Sequence, residues 1–290
     1  MSAELIDGRT ISAAIKSEVE ADVKKLISEK SITPGLAVVL VGDDPASRTY
    51  VSMKAKTCAK IGMNSWVETY PAEMSETDVL QVINRLNTDR KVHGILVQLP
   101  LPKHIDSHHI INAIDPRKDV DGLHPYNSGL LASGQPSVIP CTPFGICELL
   151  LRSNVKISGR EAVVLGRSNL VGRPISTLLS SKAPYGDATV TVCHSRSDHL
   201  KEICRRADIL VVAIGRRKFV SADMVKPGAV VIDVGSHPPR DESEKMCGDV
   251  DFDSVKEIAS KITPVPGGVG PMTIAMLMRN TVDAAIAQSV

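Results

Sequence analysis

Residues 162–174 read Ala162-Val163-Val164-Leu165-Gly166-Arg167-Ser168-Asn169-Leu170-Val171-Gly172-Arg173-Pro174: an aliphatic run, a loop bounded by two glycines, and a proline at the start of what would be a helix. The run fits a buried strand. Gly166 lets the chain turn tightly off it, Gly172 lets the next helix approach closely, and Pro174 fixes φ where no amide donor is needed. Such a strand–glycine loop–helix aims free backbone N–H groups and a positive helix end at a phosphate. Ser168 stands where G-x-G-x-x-G would have its second glycine, so the loop alone also reads as a plain turn.

Working outward, strands recur at 189–193, 209–213 and 230–234 with helical segments between them. That spacing fits right-handed β-α-β units building a parallel sheet. The second strand ends in Cys193-His194-Ser195-Arg196-Ser197, where a dinucleotide fold reads the adenosine ribose. An NAD site would put a carboxylate there; a basic, hydroxyl-bearing cluster suits the 2′-phosphate of NADP. Arg167 and Arg196 can clamp that phosphate and Ser195 can donate to it; the plain alternative is solvated surface arginines. Asp187 precedes the strand and sits at the wrong end for ribose.

The earlier chain alternates the same two periods. Ile11, Ile15, Val19, Val23 and Leu26 mark one helix face; 36–41 reads as a buried strand, about 46–61 as a helix, 64–69 as a strand, and Ser75 caps a helix carrying Val79, Val82, Ile83 and Leu86. A further strand from Gly94 is stopped by Pro100 and Pro102. The irregular stretch 139–143 is the expected domain junction, and a helix over about 272–288 is expected to pack back on the first domain. The fold class is therefore α/β: an N-terminal α/β domain (1–142 with 271–290) and a Rossmann-like domain (143–270).

At 290 residues the chain is long enough for about two domains. Lys plus Arg number 34 against 33 Asp plus Glu, and aromatics are 3%, so neither a charge excess nor stacking platforms favour nucleic acid or an anionic membrane. The longest apolar runs are far too short to span a bilayer. The six cysteines form no C-x-x-C pair and no metal-ligand spacing, so no metal is expected. Residues 1–7 carry acid where a signal peptide carries base, and the protein reads as cytoplasmic.

Several residues invite chemistry. Ser47, Tyr50 and Lys54 share one helix face. Gln98 sits near the carboxyl end of an aliphatic strand, where open α/β sheets hold ligands. Asp119 and Asp121 lie in a proline-bounded loop, and Pro264-Val265-Pro266-Gly267-Gly268-Val269-Gly270-Pro271 can bring backbone close to a flat ligand. Each also has a bland reading: solvated lysine, turn-forming aspartates, plain linker.

The segments Tyr50 to Lys54, Gly94 to Pro102 (GILVQLPLP), Lys118 to Leu123 (KDVDGL), Gly166 to Gly172 and Thr263 to Thr273 (TPVPGGVGPMT) resemble, in that order, the bifunctional methylenetetrahydrofolate dehydrogenase/cyclohydrolase family. The resemblance runs from about Ile6 to Val282. It implies oxidation of 5,10-methylenetetrahydrofolate with NADP⁺ and hydrolysis of the methenyl product to 10-formyltetrahydrofolate. It implies Tyr50 against the pterin, Lys54 as the base-like group, Gln98 orienting that lysine and Asp121 on the pterin edge. Ser47, Leu99, Pro100, Pro264, Gly267 and Gly268 would complete the folate site. Gly166, Arg167, Ser168, Val171, Gly172, Ser195, Arg196, Gly215, Gly235 and Ser236 would bind NADP. A homodimer is implied as well. One stretch departs: after Asp233-Val234-Gly235 the family typically continues with a residue such as Ile and then Asn, where this chain has Ser236-His237. Two rivals stay open at this point, a shikimate-dehydrogenase-like enzyme with a Lys–Asp pair and a non-catalytic NADP- or folate-binding module.

Overall fold

The protein, seen in a computed structural model, is described over residues 2–241 and 244–289. Its elements run β1 (Glu4–Leu5), α1 (Gly8–Lys30), β2 (Gly35–Val41), α2 (Pro45–Lys60), β3 (Asn64–Tyr70), α3 (Glu76–Thr88), β4 (Gly94–Val97), α4 (Ser107–Ala113), α5 (Pro125–Ala132) and α6 (Cys141–Arg152). They continue with β5 (Glu161–Leu165), α7 (Gly172–Ser180), β6 (Thr189–Cys193), α8 (Leu200–Cys204), β7 (Ile209–Val212), β8 (Val230–Asp233), α9 (Phe252–Val255), β9 (Lys261–Ile262) and α10 (Val269–Ala287). The chain divides into two compact units.

One unit comprises Ala14–Leu130, Pro136–Cys141 and Ile274–Val290. Its parallel three-stranded sheet has the order β3-β2-β4. Every residue of the central strand β2 is buried, as an uninterrupted aliphatic run requires. Edge strand β3 has no buried residue and alternates exposed with half-buried positions over part of its length. Helices α2 and α3 start where the sequence supplies acceptors. Asp44 takes the Ser47 amide at 2.7 Å with Pro45 opening α2, and Ser75 takes the Asp78 amide at 3.2 Å ahead of α3. Val79, Val82, Ile83 and Leu86 of α3 then pack with Ala37, Val39 and Ile95 of the sheet. Each such aliphatic side chain is worth about 1.5–3 kcal/mol when fully buried. The final helix is fastened here: the Asn280 amide donates to the carbonyls of Val120 and Ile139, both at 2.9 Å, and Arg279 pairs with Asp22.

The other unit comprises Met1–Ala13, Leu131–Gln135 and Thr142–Thr273. Its parallel six-stranded sheet runs β1-β9-β8-β7-β5-β6. Strands β5 to β8 are those read from the sequence, the last of them the strand expected at 230–234. The structure adds β9 and β1, which the sequence reading did not contain. Each is two residues long, too short to show a period, and β1 is held by the register Glu4↔Lys261 and Leu5↔Ile262. The opening residues, grouped by sequence with 1–142, thus share a sheet with the glycine-loop strand.

Candidate active site

In the three-stranded unit the site grows from α2 and from the exit of β4. Lys54 is buried on α2, and its Nζ donates to Gln98 Oε1 at 2.9 Å. Strand β4 ends at Val97, so Gln98 lies just past the strand, with its amide held by the Val39 carbonyl at 2.8 Å. The side-chain Nε2 of Gln98 donates to the Leu99 carbonyl at 2.7 Å, which leaves the amide oxygen facing the amine. Ser47 is buried one turn before Tyr50, and Tyr50 is exposed. Leu99 is half-buried and Pro100, reached through a cis peptide, is exposed.

The two aspartates of the KDVDG loop separate cleanly. Asp119 is buried and consumed by structure: it accepts from the amides of Gly122, Leu123 and His124 at 2.8–3.1 Å and from Asn127 Nδ2 at 2.8 Å. Asp121 keeps part of its surface open to solvent yet is crowded, and desolvation raises its carboxyl above the usual range while the positive charge of Lys54 pulls it down. Burial likewise lowers the Lys54 ammonium below its ordinary 10.5, opposed by Asp121.

Sequence reasoning missed two neighbours. The Cys141 thiol donates to the Val120 carbonyl at 3.3 Å and interacts with Asp121, and Asn280 holds the same carbonyl from α10. Cys141 belonged to the irregular 139–143 stretch, where a thiol reads as a small hydrophobe. Asn280 offers no signal beyond a polar residue on an apolar helix face.

The direction of the Lys54 shift gives a pH expectation. A reaction that needs the neutral amine should quicken as pH rises, with the midpoint of that rise below 10.5. The matching stability cost is fully present while the amine is protonated, below its lowered native value, and fades as pH climbs towards 10.5. A pH–rate profile of the wild-type protein checks this; a limb placed at or above the free-lysine value would contradict it.

In the six-stranded unit the loop between β5 and α7 is built as a cradle. Gly166 has φ +134°, and a Cβ there would lie 2.1 Å from the Ala213 carbonyl oxygen; one on Gly172 would lie 2.3 Å from that of Gly166. Only glycine tolerates either approach. Ser168 Oγ accepts the Val171 amide at 3.2 Å, shaping the loop in place of the missing second glycine. Arg167 and Ser168 are exposed, as are Ser195 and Arg196 past the end of β6, and His194 Nδ1 receives the Arg196 amide at 3.2 Å. Gly215, φ +69°, follows β7; Gly235 and Ser236 follow β8. A dinucleotide phosphate fits this bare backbone and a 2′-phosphate fits the cationic end of β6. Pro264, Gly267 and Gly268 also belong to this unit, after β9, and a Cβ on Gly268 would meet the Pro264 carbonyl at 2.7 Å.

A parallel α/β sheet with a glycine-cradled phosphate loop defines a dinucleotide-dependent protein, and the amine–amide–carboxylate group of the other unit gives it a chemical centre. Residues 140–289 match the model of the tetrahydrofolate dehydrogenase/cyclohydrolase NAD(P)-binding domain and residues 6–121 that of the family's catalytic domain. The bifunctional protein FolD of Acetivibrio thermocellus is 52% identical over 100% of this chain and 99% of its own. A methylenetetrahydrofolate dehydrogenase/cyclohydrolase of Campylobacter jejuni, solved by crystallography, is 48% identical with a TM-score of 0.93, covering 99% of each chain. The Trypanosoma brucei enzyme, solved with NADP cofactor and an inhibitor, is 40% identical with a TM-score of 0.94 over 99% of this chain and 98% of its own. The chain belongs to the tetrahydrofolate dehydrogenase/cyclohydrolase family.

Proposed function

We propose that the protein oxidises 5,10-methylenetetrahydrofolate to the methenyl cation with NADP⁺ and hydrolyses that cation to 10-formyltetrahydrofolate. The observation that carries the reading is a buried lysine amine, Lys54, held at 2.9 Å by an uncharged amide, Gln98, beside Asp121. NADP⁺ supplies the hydride acceptor for the first reaction. The rest is work for the chain's own groups. Tyr50 lies against the pterin, Asp121 accepts from pterin N–H groups, and Ser47, Leu99 and Pro100 border the folate.

For hydrolysis, water adds to the methenyl carbon and Lys54 Nζ, in its neutral form, takes the proton that water gives up. The C–N5 bond then opens, the remaining hydroxyl proton passes to N5, and one proton is released overall. Desolvation and the nearby substrate cation both favour the neutral amine, while Gln98 places it without adding the negative charge that would hold the proton on.

Gly166, Arg167, Ser168, Val171 and Gly172 hold the dinucleotide phosphates; Ser195 and Arg196 take the 2′-phosphate; Gly215, Gly235 and Ser236 border the nicotinamide half. All six cysteines are free and five are buried, the usage of a reducing compartment, which supports a cytoplasmic protein. No helix among the described residues is long and apolar enough to cross a membrane. A homodimer belongs to the same reading.

Purified protein mixed with methylenetetrahydrofolate and NADP⁺ should produce NADPH and a transient methenyl absorbance together. NADPH without later loss of the methenyl band would remove the hydrolytic half; neither signal would leave a binding module. For the cofactor, Arg196→Ala should weaken NADP by roughly tenfold or more, the loss of a charge-assisted contact, and leave NAD nearly unchanged. Equal losses for both would show that Arg196 never meets the 2′-phosphate.

A further inference from the structure

The loops leaving β7 and β8 are tied by side chains that have no role in the account above. Asp249 is fully buried, and its carboxylate gathers donors from both loops. Oδ2 accepts from the amides of Ile214 and Gly215, each at 2.8 Å, and Oδ1 meets His237 Nε2 at 2.8 Å. The Asp249 amide in turn donates to Oδ1 of Asp233, the last residue of β8, at 2.9 Å; Asp233 also accepts from the amides of Gly235 and Val250 at 2.9 and 3.0 Å. Burial pushes the Asp233 carboxyl up to about 7 despite these three bonds.

His237 is the only side-chain donor among these bonds to Asp249, the other two being backbone amides. A carboxylate only accepts, so Nε2 carries the hydrogen. Two backbone bonds fix the ring's root, His237 amide to Cys247 carbonyl at 2.8 Å and the reverse at 3.2 Å. The ring is mostly buried but keeps some surface open to solvent, whereas the carboxylate it meets is closed off. Beyond the clamped amides, Gly215 fronts open space: a Cβ there would meet nothing within 4 Å. Both loops leave the carboxyl ends of parallel strands, where a sheet of this kind presents backbone to a ligand.

We infer that His237 is a positioning residue for the nicotinamide half of the cofactor, its imidazole holding the Asp249 carboxylate and, through it, the Ile214–Gly215 backbone that borders the ligand. The inference rests on the NADP reading above. Without the ring, Oδ1 turns to water and the carboxylate is free to tilt, so the two amides lose a fixed anchor while the phosphate loop and the Ser195–Arg196 end are untouched. Outer partners of this kind orient the groups that do touch a ligand.

Calorimetric titration of His237→Ala with two ligands tests this without any turnover. NADP affinity should fall about tenfold, the scale of a lost bond to a charged group. Adenosine 2′,5′-bisphosphate, which lacks the nicotinamide, should bind as it does to the wild type. His237→Gln should restore NADP affinity, because its Nε2–H reaches about as far as the imidazole's. If the alanine variant does not fold, His237→Leu, which fills the space without a donor, makes the same comparison with His237→Gln. Unchanged NADP affinity, equal losses for the two ligands, or a glutamine variant no better than alanine or leucine would each overturn the inference. Arg196→Ala, titrated alongside, separates the failures: if it too is silent the cofactor reading falls, whereas a weakened Arg196→Ala beside a silent His237→Ala sinks only the role of His237.

Discussion

Lys54→Met should lower hydrolysis of the methenyl substrate by about 10²- to 10⁴-fold, the usual contribution of a positioned proton acceptor, while the protein stays folded and binds NADP. Methionine is the informative replacement. Lys54 is only 7% exposed, so its stem already lives among protein atoms, and an unbranched thioether of similar length fills that space. The losses are the amine and two electrostatic relations. Gln98 Oε1 loses its donor at 2.9 Å, a modest cost for a half-buried group that water can reach. Asp121 loses the positive charge that lowers it, so its carboxyl moves further above the usual range. The variant therefore also separates two explanations of catalysis. Were Asp121 the proton acceptor, raising its pKa would shift the rate's pH limb and leave a measurable rate above it. With Lys54 as acceptor the limb disappears and no pH restores the rate. Hydrolysis at wild-type speed would dispose of the amine's role altogether.

Much of this centre was legible before any coordinates. Residues four apart on a helix must share a face, so Tyr50 and Lys54 could be grouped from spacing alone. The aliphatic run from Gly94, read as a strand stopped by Pro100, puts Gln98 near the carboxyl end; β4 closes earlier, at Val97, and Gln98 stands just past it. The buried β2 and the caps at Asp44 and Ser75 follow from local chemistry too. Contacts between distant segments were not legible. Nothing about Cys141 or Asn280 predicts that both meet the Val120 carbonyl. Nor does the spacing of Asp233, His237 and Asp249 reveal that one carboxylate would gather donors from two loops. The strands β1 and β9 were invisible for another reason: a two-residue strand has no periodicity, and only pairing with a neighbour makes it one. The KDVDG loop is the instructive mixture. Spacing alone leaves both aspartates with the same two readings and only the resemblance favours Asp121; burial with four accepted bonds now assigns Asp119 to the loop and leaves Asp121 available.

At the other centre, Gly172→Val should cost at least about a hundredfold in NADP affinity and lower the melting temperature. A Cβ at this position would stand 2.3 Å from the Gly166 carbonyl oxygen, 2.5 Å from its carbon and 2.7 Å from the Arg167 amide nitrogen. All three are backbone atoms of the loop that leaves β5, so no side-chain rotation relieves the clash. Either α7 retreats from the strand or the loop is pushed outward. Overpacking of this sort costs about 1–3 kcal/mol in stability, and any retreat also withdraws the amides and the positive helix end that phosphate binding needs. The two effects can be told apart. Gly172→Ala puts the same Cβ in place without valine's two methyls; if the first carbon does the damage, alanine should lose nearly as much affinity as valine. If alanine binds NADP normally while valine does not, bulk further out is responsible and the close approach of helix to strand is not what the cofactor requires. Direct titration with NADP, read beside thermal melts of both variants, decides between them. Wild-type affinity in both would remove the glycine loop from the cofactor site.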